Sequence, residues 1–69
     1  MEQVYSEEKL NIMKSHAHAC IIAMVGESLA DTWWNSKNYA FDDQTPAGEW
    51  IRNPKRVYDY VMQHAYGGW

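Results

Sequence analysis

Cysteine is nearly missing: Cys20 stands alone, so the chain has no internal disulfide to brace it. That usage fits a reducing compartment. The longest apolar run, residues 19–25, falls far short of the roughly 20 residues that a membrane-spanning helix needs. No positively charged stretch leads into an apolar one near the start, so no secretory signal is expected and the expected location is cytoplasmic. Bases are few: 6 Lys and Arg stand against 9 Asp and Glu, for a net charge of −3. Nucleic-acid binders need a basic face to release counterions, and none is evident. The carboxylates are too sparse for an acidic mimic of DNA. No glycine-rich phosphate loop, internal repeat or strand-like alternation occurs.

What the chain does have is aromatic bulk. Its 69 residues hold 4 Trp, 5 Tyr and 1 Phe. A domain of this size buries only about 60% of the surface its unfolded chain exposes. Ordering it costs on the order of 100 kcal/mol of conformational entropy. Aromatic side chains offset most per residue fixed, because each buries the largest area. A deep catalytic pocket would compete for the same interior, so composition argues for one domain over residues 1–69 and against an enzyme.

Four helices are expected. Ser6 caps the first, which runs from Glu7 to about Val25 and carries Leu10, Met13, Ala17, Cys20, Ile21 and Met24 as one apolar stripe. Gly26 ends it. Ser28 and Asp31 form a capping-box pair for a second helix over residues 28–35, with Leu29 and Trp33 on its buried side and Ala30 and Trp34 as further candidates. Residues 35–44 read as a loop that Tyr39 and Phe41 pin to the core. Thr45-Pro46 opens a third helix to about Arg52, and Asn53-Pro54 opens the last, through about Tyr66, with Val57, Tyr60, Val61, His64 and Ala65 as its stripe. The fold class is all-α.

One ordered series stands out in the second half: Trp33-Trp34-Asn35, Tyr39-Ala40-Phe41, Thr45-Pro46, Trp50-Ile51, Pro54, Val57 and Tyr66-Gly67. Over residues 26–69 the chain resembles the toxin-binding domain of the Xre/MbcA/ParS-type antitoxins, the partners of RES-domain toxins. The resemblance implies an all-helical domain that occludes the NAD cleft of an NAD-consuming toxin, with its C-terminal part reaching toward that cleft. Tyr66 and Gly67 match the family's closing motif, and Gly68-Trp69 extends it. Asp42-Asp43-Gln44 stands where the family usually has a glycine pair, and Trp34 and Trp50 stand where leucine is usual. The family's helix-turn-helix is not represented, so DNA binding is not implied. A mobile-element or phage protein that reuses the fold against a host defence complex fits the same residues. So does a self-associating structural module, and a homodimer stays open.

His16, Cys20 and His18 invite a zinc reading. On a helix, however, His18 points away from the His16–Cys20 face, and His64 is the one further histidine. A core-facing Cys20 with partly exposed histidines fits better, and no metal or other cofactor is expected. Nucleophilic use of Cys20 would need an adjacent His and an orienting acid or amide; mid-stripe, it reads as packing. Asp42 and Asp43 read as solvated loop acids. Arg52, Lys55 and Arg56 are either surface charge complementing a helix end or a contact with acidic groups of a partner. Trp33 and Trp50 read as core. Trp69 either folds back on Trp33 or Tyr60 or anchors in a partner's pocket. Glycines reach φ > 0 at little cost, and the freedom of Gly67 and Gly68 favours the anchor. The expected partner-binding set is therefore Tyr66, Gly67, Gly68 and Trp69, bordered by Arg52, Lys55 and Arg56.

Overall fold

The computed structural model describes residues 5–67. In order they form α1 (Glu7–Val25), α2 (Glu27–Asn35), a 3-10 turn (Tyr39–Phe41), α3 (Pro46–Arg52) and α4 (Pro54–Tyr66), an all-α arrangement. No helix among the described residues is long and apolar enough to cross a membrane.

Local chemistry sets most of the boundaries. Ser6 Oγ accepts from Lys9 N at 3.0 Å, and Glu7 and Glu8 occupy the first turn of α1, where the helix dipole favours negative charge. Gly26 then breaks the helix at φ 93°, a conformation costly for any residue with a Cβ. Thr45 Oγ1 accepts from Gly48 N at 3.0 Å, and Pro46 fills the first turn of α3. A Cβ at Gly48 would lie 3.1 Å from that same oxygen, so the tight cap favours glycine there. Asn53 caps α4 in the same manner, ahead of Pro54.

Two expectations about α2 are corrected. It begins at Glu27 rather than Ser28, with no side-chain cap, because the Gly26 carbonyl already accepts from Ala30 N at 3.0 Å. The helix thus restarts directly from the glycine kink, and Ser28 falls inside its first turn. Its buried side is also rotated by one residue, about 100°. Ala30 and Trp34 are buried and Trp33 half-buried, whereas Leu29 is 55% exposed. Ala30 lets α2 lie close to α1, and Trp34 packs edge-on against Trp50, ring centroids 5.9 Å apart.

α1 and α4 run parallel and form the most extensive helix pair. At one end Tyr5, Lys9 and Met13 face Lys55, Tyr58 and Asp59; at the other Cys20 meets Tyr66. Val57 and Val61 of α4 and Ala17 of α1 have no exposed surface. Of the loop aromatics only Phe41 pins: it is buried against Tyr60 at 5.0 Å, while Tyr39 is 92% exposed. The loop closes on itself, with Asn38 N donating to Gln44 O at 3.0 Å and Asp42 and Asp43 taking φ of 58° and 66°.

Candidate protein-binding surface

Of the expected surface residues, Arg56 is the most committed within the fold. Its Nη1 donates to the buried Glu49 Oε2 at 3.2 Å and its Nη2 to the Ala40 carbonyl at 3.0 Å. Nη2 also lies 3.5 Å from Asp42 Oδ2, and the guanidinium sits 5.5 Å from the centre of the Phe41 ring. One side chain thereby joins α4, α3 and the loop. Arg52 Nη1 lies 3.7 Å from Glu49 Oε1, an atom with no hydrogen-bond partner of its own, and the Arg52 side chain remains 70% exposed. Lys55 pairs with Asp59 one turn on. That hydrogen bond, with the carboxylate's charge, raises the lysine's pKa above its usual range.

Tyr66 is the last residue of α4 and is 69% exposed. Its hydroxyl lies 3.3 Å from His16 Nε2 and 3.8 Å from Cys20 Sγ, while His16 Nδ1 lies 2.9 Å from the Tyr58 hydroxyl. The hydrogen bond with Cys20, then the negative charge of an ionised Cys20 sulfur, raises the phenol pKa above its usual value. Gly67 departs from expectation. Its φ of −73° is right-handed, because its N–H still donates to Gln63 O at 2.7 Å and continues the helical pattern. Gly68 and Trp69 lie outside the described residues. Lys55 and Tyr66 are separated by eleven helical steps, about 16 Å, so Lys55 and Arg56 lie at the opposite end of α4 from the closing tyrosine, while Arg52 ends α3.

Beside the C-terminal half of α4 lies an apolar opening that hydropathy periodicity does not anticipate. Ile21, Met24, Val25, Trp33, Tyr60, Val61 and His64 line a hollow of about 150 Å³. Met24, Val25 and the nearby-in-sequence Leu29 are 41%, 40% and 55% exposed. Met24 continues the α1 stripe but stays 41% exposed at this opening. Trp33 and Tyr60 form a stacked wall, centroids 6.4 Å apart. The signal that could have found this opening is a length mismatch: α1 spans 19 residues and the parallel α4 only 13.

The histidines separate. His18 Nδ1 accepts from Trp34 Nε1 at 3.0 Å, and His64 Nδ1 donates to the Tyr60 carbonyl at 3.0 Å. Among the described residues no three of His, Cys, Asp and Glu converge as a metal-binding group. No protein-family model matches this chain, and neither does any curated protein or any solved structure.

Proposed function

We propose that this chain is a protein-binding inhibitor, similar in action to the antitoxin domains it resembles, which neutralises an NAD-consuming RES-type toxin by covering its active site. The observation that carries this reading is the apolar opening beside the C-terminal half of α4, lined by Tyr60, Val61 and His64 of that helix. Exposed contiguous apolar surface mixed with aromatic rings marks protein contacts more often than solvated surface. Tyr66 is held by its α1 neighbours, so the end of α4 is ordered before any partner arrives, which lowers the entropic cost of binding. Among the basic trio, Arg52 is the side chain with most of its surface facing outward.

The test is co-purification with the toxin and inhibition of its NAD consumption. Truncation after Tyr66 leaves the helices intact and abolishes inhibition on this reading. The pair M24E and V25E places charge on the lining of that opening and weakens binding at least tenfold. Full inhibition by both variants overturns the proposal. The same exposed surface supports a second reading, self-association, which a concentration-dependent mass without any other protein would favour.

A further inference from the structure

Seven of the described residues wall the hollow beside α4, and none of these is Asp, Glu, Lys or Arg. Ile21, Met24 and Val25 come from α1, Trp33 from α2, and Tyr60 and Val61 from α4, with His64 one turn beyond Tyr60. Three of the seven carry rings: Trp33 and Tyr60 are inclined by only 19°, and the centre of the His64 ring lies 4.2 Å from that of Tyr60. We propose that this hollow is a binding site for a small neutral aromatic molecule of a single ring, of the benzene class. The proposal goes beyond the inhibitor reading, because it concerns the chain alone.

Volume is the first argument. The hollow measures about 150 Å³, and apolar cavities of about 150 Å³ take benzene-sized molecules. Sites for drug-sized ligands start at about 300 Å³. A stable contact between two folded chains engages about 20–30 residues on each side, so seven wall residues suit a single ring rather than a second copy of this chain. Charge is the second argument. A carboxylate or ammonium would lose its hydration on entry, with no Lys, Arg, Asp or Glu among these residues to offset the cost. Water fits such a wall poorly, since a buried water needs about two to four polar partners and His64 Nδ1 already serves the Tyr60 carbonyl. Replacing weakly held water by an apolar group adds affinity. The rings are the third argument. Edge or face contact with Trp33 or Tyr60 favours an aromatic guest over an alkane of similar volume by about two- to tenfold. Met24 adds a polarisable sulfur, which is favourable beside a ring.

The test is a titration of the isotopically labelled full chain with benzene, followed through the methyl NMR signals of Ile21, Val25 and Val61. These methyls are expected to shift saturably with one shared dissociation constant, while those of Ile51, an exposed residue of α3 outside the wall, stay in place. Cyclohexane binds at least twofold more weakly and benzoate at least tenfold. V25F takes up space in the hollow and M24E charges its wall, both at exposed positions, and each weakens benzene binding at least tenfold. Circular dichroism establishes that both variants are folded. Shifts that do not saturate, or that appear equally at Ile51, overturn the site. Cyclohexane or benzoate binding as tight as benzene's does the same, as does undiminished binding by folded V25F and M24E. Shifts of the wall methyls on raising protein concentration without benzene would give the opening to a second copy instead. Because no toxin enters the titration, failure of the inhibitor reading leaves each of these readouts unchanged.

Discussion

Trp34 Nε1 donates to His18 Nδ1 across 3.0 Å and ties α2 to the middle of α1. The indole is buried and Lys14 lies 5.3 Å from its ring centre, so two α1 side chains fix one tryptophan. Removing the acceptor leaves a buried N–H unpaired, which costs about 1–3 kcal/mol. H18A is expected to lower the unfolding free energy by that amount, seen as a lower urea midpoint with the slope unchanged. In a W34F background, where the donor is already gone, the same substitution should cost measurably less. Equal costs in the two backgrounds would show that this bond does not contribute.

Arg56 and Glu49 support a second prediction. Glu49 is 3% exposed and Arg56 Nη1 is its hydrogen-bonded partner, with Arg52 farther off. Breaking a buried pair from one side typically costs about 3–5 kcal/mol; the half-exposed Arg56 places R56M near the lower end. Replacing both members should recover much of the loss, since E49L removes the charge that R56M strands. Chemical denaturation of the two single variants and the double variant measures this. It also governs how a binding assay is read: weakened binding by R56M reports a loosened fold before it reports a lost contact.

The starts of α1, α3 and α4 were legible in the sequence because capping is local chemistry. Ser6, Thr45 and Asn53 each accept from a backbone N–H three residues on, and Pro46 and Pro54 sit where no N–H is missed. The buried side of α2 was not legible. Hydropathy favours Leu29 over Ala30, but the choice is made by Ala30's small size against α1 and by the bond from Trp34 to His18, which lies 16 residues away. The surroundings of Tyr66 were hidden for the same reason, since His16 and Cys20 are 50 and 46 positions distant. The apolar opening depends on the relative direction and length of two helices, which periodicity alone does not supply.

The loop before α3 yields a third prediction. Asp42 and Asp43 both take positive φ. Aspartate tolerates this region better than branched residues, which pay about 1–2 kcal/mol there. D43V should destabilise by about that amount, whereas D43G should be neutral or stabilising by a few tenths. Asp43 is the better position to test, because Asp42 also faces Arg56. Thermal midpoints that fall equally for valine and glycine would mean that the side chain, and not the backbone, matters at this turn.

Alkaline pH is where the Tyr66 contact becomes measurable. The phenol pKa is raised above its ordinary 10.0, first through the hydrogen bond with Cys20 and then through the negative charge of an ionised Cys20 sulfur. A raised folded-state value means that the folded chain holds the proton where the unfolded chain has released it. The stabilisation is therefore complete below pH 10.0 and is lost as pH climbs through the folded value. Lys55 has the same sign, raised above 10.5 by its bond to Asp59, so its contribution fades over a slightly higher range. Y66F deletes the first of these limbs and K55M the second. Measured from pH 8 to 12, the parent's stability should fall more steeply than that of Y66F just above pH 10. Iodoacetamide provides an independent check, since Tyr66 lies over the buried Cys20 thiol. Alkylation of native Y66A should be faster than that of the parent, with Y66F close to the parent because it keeps the ring. Parallel pH curves for the parent and Y66F, together with equal alkylation rates for Y66A and the parent, would mean that the phenol neither guards the thiol nor senses it.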